Sequence, residues 1–430
     1  MIPKYSDVLV VGGGMGGLAV AALVSRSGLG VHVLERATTL GGRAATHERQ
    51  GFLFNEGAHA LYRGGAAARV LGTLGVAVAG RRPPARGLMV RGGRAYAMPS
   101  TLGAMLTTGL VGAAGKLEGA RVFARLGGLD LEALAGERWS DWLASQVTDA
   151  PMRAALDAFA RVATYANAPR DVSAGATLAQ LRLAQNPGVA YLDRGWQPLV
   201  DGVAAVARAR GVAITTGARV AHAEPTPNGW RVATTAGDVV HTRVLVLATG
   251  PATAAAVVEG EPLASWAARA VPARTACLDV ALSRLPNARA TFALGVDAPT
   301  YLSVHSRTAR LAPDGAPLVS TMKYLPPGEA PDAARDRAEL ESLLDLLQPG
   351  WRDVVVERRF LPSMVASNAI VLADGGGFAG RPTPRVPSVE GLYVVGDWVG
   401  GEGMLLDASL ASAERAASDI AATAGVARVA

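Results

Sequence analysis

Val8-Leu9-Val10-Val11-Gly12-Gly13-Gly14-Met15-Gly16-Gly17-Leu18 is the stretch that decides the fold. Four apolar residues run into a glycine turn and then into a small, aliphatic stretch ending at Ser27, which reads as strand, tight turn and helix. Each glycine of Gly12-x-Gly14-x-x-Gly17 has a mechanical task. The first makes the turn, the second lets a pyrophosphate approach the backbone, and the third packs helix against strand. The helix start at Met15 and Gly16 then turns its free N–H groups toward the phosphates. A second strand, Val31-His32-Val33-Leu34, ends in Glu35, a carboxylate placed to accept from the hydroxyls of an adenosine ribose and unfavourable to a 2'-phosphate there.

Directly after it, Glu35-Arg36-Ala37-Thr38-Thr39-Leu40-Gly41-Gly42-Arg43-Ala44-Ala45-Thr46 resembles, position for position, the ERxxxxGGRxxT signature of FAD enzymes in the amine oxidase and phytoene desaturase superfamily. Gly41 and Gly42 let the chain pass under a ligand, and Arg43 can lay a charged fork on a pyrophosphate. Two later stretches resemble the same superfamily. Val244 to Pro251 matches its second nucleotide-domain strand with a glycine exit at Gly250, and Gly391-Leu392-Tyr393-Val394-Val395-Gly396-Asp397 matches its closing GLYxxGD motif. The resemblance implies that Gly396 and Asp397 hold the ribityl or pyrophosphate region and that Val220 touches the adenine. It also implies that Gly57, Ala58 and His59 pass by the isoalloxazine ring. The helix beginning at Met404, Leu405 and Leu406 would point at the flavin pyrimidine, where helix N–H groups stabilise the charge of a reduced ring.

Cys277 is the sole cysteine and falls outside these motifs, so FAD is expected without a covalent link, and neither a disulfide nor a thiolate metal site is expected. No metal is expected. The net charge of +6 is spread over 430 residues with no basic block interleaved with aromatics, which argues against nucleic acid. The apolar N-terminus is broken by the glycine turn and reads as neither a signal peptide nor a span, so a cytoplasmic protein is expected.

The length suits two interleaved domains. The expected class is α/β, a Rossmann-type FAD-binding domain with an inserted α+β substrate domain made of a mixed sheet and a helical cap. The discontinuous FAD domain is expected at 1–80, 190–258 and 361–430, and the substrate and cap domain at 81–189 and 259–360. Residues 90–96 read as a hairpin, 100–168 as the helical cap, closed by a turn at Pro169, and 239–241 as a hairpin arm separate from the strand at 244–247. Residues 276–282, 291–294, 301–304 and 318–323 read as the mixed sheet, with an exit strand at 354–360. The weakly charged 98–126 stretch reads either as ordinary cap packing or as a peripheral membrane contact or tunnel mouth.

Where amine-oxidising relatives place an aromatic pair and a lysine at the flavin, this chain offers Trp398 and Lys323, each of which also reads as a packing or strand residue. Residues 291–327 and 391–412 resemble the phytoene desaturase-like branch. That resemblance implies dehydrogenation or desaturation of an apolar isoprenoid, polyene or lipid-like substrate, by hydride transfer to flavin N5. Asp407 and His59 are the candidate ionisable groups. Asp407 also reads as a favourable helix-start acid, and His59 as a loop hydrogen-bonding residue. Oxygen or a quinone is the expected electron acceptor, because only one dinucleotide fingerprint is present. The alternatives are an oxidase of amines or secondary metabolites and an FAD-binding protein without turnover.

Overall fold

The computed structural model describes residues 2–427. Its first sheet places Ala213–Thr215, Val31–Leu34, Tyr5–Val11, Val239–Leu247 and Leu392–Val394 side by side, all parallel. Val8, Leu9 and Val10 are fully buried, as a strand covered on both faces requires. Val239–Leu247 is one continuous strand and not a hairpin arm followed by a separate strand. Its first half pairs antiparallel with Gly229–Thr234, which continues to Val220–Thr226, and its second half pairs with Leu392–Val394. The helix Met15–Val24 packs between Gln197–Ala209 and the closing helix Leu405–Ala427. Small residues make the close approach possible: Ala19, Ala22, Ala204 and Ala413 share one core with Leu18 and Val203.

The second sheet runs Val355–Ser367, Ala273–Leu282, Leu318–Leu325, Thr300–Ser303, Phe292–Gly295, Leu88–Arg91 and Arg94–Ala97. It is mixed, since Phe292–Gly295 pairs parallel with Leu88–Arg91 and its other pairs are antiparallel. Alternation along Ala273–Leu282 sorts the two faces. Ala276, Leu278, Val280 and Leu282 meet Leu340 and Leu344 of the helix Ala333–Leu347, whereas Ala273 and Cys277 face the cap. The cap comprises Leu102–Thr107, Ala113–Arg125, Trp139–Gln146, Ala150–Thr164 and Ala174–Gln185.

Three expectations need correction. The second cap segment ends at Tyr165 as read, but Ser173 then accepts from the Ala176 N–H and starts a further helix, Ala174–Gln185, that the reading omits. The exit strand is Val355–Ser367, paired with Ala273–Leu282 along its length, so a boundary at 360/361 cuts through it. Likewise, Val189–Leu192 straddles the 189/190 boundary. Residues 428–430 of the expected FAD domain lie outside the described residues.

Candidate active site

A cavity of about 1010 Å³ opens at the carboxyl ends of the parallel strands and reaches the second sheet. That is where an open α/β sheet receives a ligand. Glu35, Arg36, Val220 and Gly250 line it together, although 215 residues separate the first from the last. Gly12 takes φ of 113° with its backbone against Ala248, and Gly17 is pressed on the Gly12 carbonyl, below the cavity lining. Gly14 and Gly42 present bare backbone to the open space. A methyl on Gly14 would meet nothing nearer than the Gly41 carbonyl at 3.8 Å, and one on Gly42 nothing nearer than Gly14 Cα at 3.9 Å. Met15 and Gly16 line the same wall at the helix start. This cradle fits a pyrophosphate held by backbone N–H groups. Glu35 accepts from Gly13 N at 2.6 Å and Ala37 N at 2.8 Å, and each carboxylate oxygen retains acceptor capacity for a ribose hydroxyl.

The middle of the cavity is locked by Arg43 and Asp397. Arg43 Nη1 donates to Asp397 Oδ2 at 2.7 Å and to the Ala366 carbonyl at 3.0 Å, leaving Nε and Nη2 for a phosphate or ring oxygen. Burial opposes the Asp397 charge, but Arg43 and the Asn368 backbone and side-chain amides hold the carboxyl below its ordinary range. His59 stands edge-on to Trp196 at 5.5 Å, and burial, with Arg43 and Arg359, lowers its imidazole to about 4. It is neutral at neutral pH. Asp407 Oδ1 accepts from Ala67 N at 2.8 Å, capping the helix Ala66–Leu74, while its buried Oδ2 has no partner. Burial, against that N–H bond, pushes the carboxyl up to about 6. Gly396, Leu405 and Leu406 complete this end of the wall, with Leu405 at a left-handed φ of 56°. Gly57, Ala58 and Met404 stand behind it. Gly57 backs onto Met364, the Ala58 carbonyl accepts from Tyr165, and Met404 packs on Ala176 and Val371.

A family model described as flavin containing amine oxidoreductase matches residues 15–421. The chain belongs to that family. It is an FAD-dependent oxidoreductase, and the glycine cradle, Glu35 and the Arg43–Asp397 lock suit that cofactor. The fold matches the solved oxidoreductase from Methanosarcina mazei with a TM-score of 0.75 at 19% identity, over 95% of this chain and 99% of that one. Over 62 residues the chain is 42% identical to the human all-trans-retinol 13,14-reductase, a match covering 14% of this chain and 10% of the relative. Over 51 residues it is 49% identical to the carotenoid 3,4-desaturase of Haloarcula japonica, covering 12% and 10%.

Within this flavoenzyme, neither of the two residues weighed against the amine-oxidase pattern lines the cavity. Lys323 points to the opposite face of its sheet, where Nζ meets Asp336 at 2.9 Å and Glu339 at 2.7 Å. Trp398 is buried in the nucleotide-domain core and donates to the Thr249 carbonyl at 2.9 Å. Cys277 is also buried, its thiol pushed up to about 12 by burial and the nearby Asp279. Sequence reading missed Asn368, which holds Asp397, and Arg381, which donates to the Asp397 and Gly403 carbonyls and so ties together both ends of the closing turn. Asn368 follows a strand end without a motif. The Gly376–Arg381 glycine-rich loop was the only local sign of a chain reversal near Arg381. No His, Cys, Asp and Glu grouping able to hold a metal occurs among the described residues.

Proposed function

We propose that this enzyme dehydrogenates an apolar, polyene-like substrate. The observation that carries this reading is the chemistry of the cavity wall around His59. Tyr62 and Tyr165 line it, but their hydroxyls donate to the Ala163 and Ala58 carbonyls, so their rings rather than their polar tips are left for a ligand. Trp196, Met364, Leu405 and Leu406 extend the same apolar surface. Such a wall suits the face of a conjugated hydrocarbon. The short matches to a retinol reductase and a carotenoid desaturase support the same substrate class.

Bound FAD supplies the two-electron acceptor that takes hydride at N5. The chain orients and insulates. Arg43 and Asp397 fix the middle of the site, Glu35 and the Gly12–Gly17 turn fix the nucleotide end, and neutral His59 offers a hydrogen bond without a charge. Asp407 anchors the start of the last helix to Ala67, and its second oxygen is buried against Gly65. FAD is held without a covalent link in this reading. The strand Val239–Leu247 exits through Gly250 into the helix Pro251–Val257 without a second phosphate-binding turn, so oxygen or a quinone takes the electrons.

No helix among the described residues is long and apolar enough to cross a membrane. A peripheral contact is supported by Leu106 and Leu117, exposed at 65% and 53% on neighbouring cap helices beside Lys116. To test the activity, the enzyme is incubated with an acyclic polyene and a soluble quinone analogue, and the pigment absorbance is followed. A shift to longer wavelength, from a lengthened conjugated system, is expected. An unchanged pigment, together with aldehyde formation from an added amine, would replace this reading with amine oxidation.

A further inference from the structure

A dehydrogenation that forms a double bond must release a proton as well as hydride, and the two ionisable groups already placed on the wall are poorly suited to export it. His59 makes no hydrogen bond among the described residues through which to pass a proton on, and burial lowers its imidazole to about 4. Asp407 is 2% exposed, with one oxygen committed to Ala67. A different pair lines the same cavity. His47 and Glu56 lie on and just beyond the hairpin Thr46–Arg49 and Phe52–Asn55, with His47 Nε2 at 3.0 Å from Glu56 Oε1. The His47 side chain is 50% exposed and that of Glu56 26%, so the pair connects the cavity to water.

The groups behind the pair are fully arranged. Arg359 Nη1 approaches Glu56 Oε1 at 3.3 Å, while its Nη2 donates to Asp279 Oδ2 at 2.9 Å and to the Asn55 carbonyl. Asp279 sits on a central strand of the second sheet and balances the guanidinium, so Arg359 is a fixed, paired cation held against Glu56. A carboxylate only accepts, which requires Nε2 of a neutral His47 to carry the hydrogen and leaves Nδ1 as the basic atom. The arrangement is that of an imidazole whose tautomer is set by an acid.

We propose that His47, oriented by Glu56, accepts the proton lost from the substrate carbon next to the one that surrenders hydride. The C–H pair of one carbon leaves as hydride to FAD. The C–H bond of its neighbour breaks, its electron pair becomes the new π bond, and the proton goes to His47 Nδ1 and then to water. Glu56 is the positioning residue, and Arg359 holds Glu56.

The proposal rests on the dehydrogenation reading, and its test separates the two. Ring 15N shifts of His47, assigned by comparison with His47→Gln, should report the Nε2–H tautomer in the wild type and lose that preference in Glu56→Gln. An Nδ1–H tautomer, or no response to Glu56→Gln, would overturn the pairing whatever the substrate is. In anaerobic stopped flow, using a polyene that bleaches the wild-type flavin, His47→Ala should slow bleaching by about 10²–10⁴-fold with FAD affinity unchanged. Added imidazole should recover part of that loss. Bleaching of His47→Ala by the polyene at the wild-type rate would refute the role of His47, whereas bleaching of the wild type by amines alone would refute the substrate class, and the tautomer comparison would still decide the His47–Glu56 pairing.

Discussion

Asp407 is buried at 2% exposure with one carboxylate oxygen unpartnered, and it titrates near 6 instead of 3.8. A carboxyl whose folded pKa is raised destabilises the fold when ionised. The cost is complete above about 6 and fades as pH falls from there toward 3.8. Asp407→Asn keeps an acceptor for Ala67 N and removes the charge. In urea unfolding of the FAD-free protein it should therefore add about 1–3 kcal/mol at pH 8 and almost nothing at pH 4. A gain independent of pH would show that the charge is not its source. Glu35 acts on the ligand side. Losing its ribose contacts in Glu35→Ala should weaken FAD binding by about 1–3 kcal/mol, read as the dissociation constant by flavin fluorescence, and an unchanged constant would remove Glu35 from the site.

At the scale of elements, the opening strand, turn and helix carry the nucleotide half of the site. Gly17→Ala would drive a methyl into the Gly12 carbonyl, which is backbone and cannot swing away. The expected result is a loss of about 1–3 kcal/mol or more, together with loss of FAD. Gly72→Ala, in the helix Ala66–Leu74 with nothing near the added carbon, should instead stabilise by about 0.5–1 kcal/mol. Thermal unfolding of the two variants checks both signs. These elements were legible in the sequence because glycine at fixed spacing has a local mechanical cause. The helix Ala174–Gln185 was not, since its small, mostly buried residues show little polar and apolar alternation and only Ser173 marks its start. The split between residues 241 and 244 failed for a similar reason. Thr242 and Arg243 look like a break, but they sit in one strand whose two halves have different partners.

Across the whole molecule, the cavity is assembled from segments far apart in the chain. Arg43 near the beginning, Asn368 after the last strand of the second sheet, and Asp397 in the closing turn meet in one hydrogen-bonded lock. Arg43 and Asp397 were legible from motifs, whereas the contacts of Asn368 and Arg381 depend on long-range packing that no local pattern encodes, and the His47–Glu56 pair depends on a hairpin register without a turn motif. The turning away of Lys323 and Trp398 from the cavity is equally a property of the assembled sheets. Whether the cavity takes a polyene, as proposed, or an amine is decided by anaerobic bleaching of the bound flavin. The FAD-loaded enzyme is mixed, without oxygen, with an acyclic polyene or with a primary amine at equal concentration, and the oxidised flavin absorbance is followed. Bleaching by the polyene and none by the amine is predicted; bleaching by the amine with none by the polyene would contradict the account.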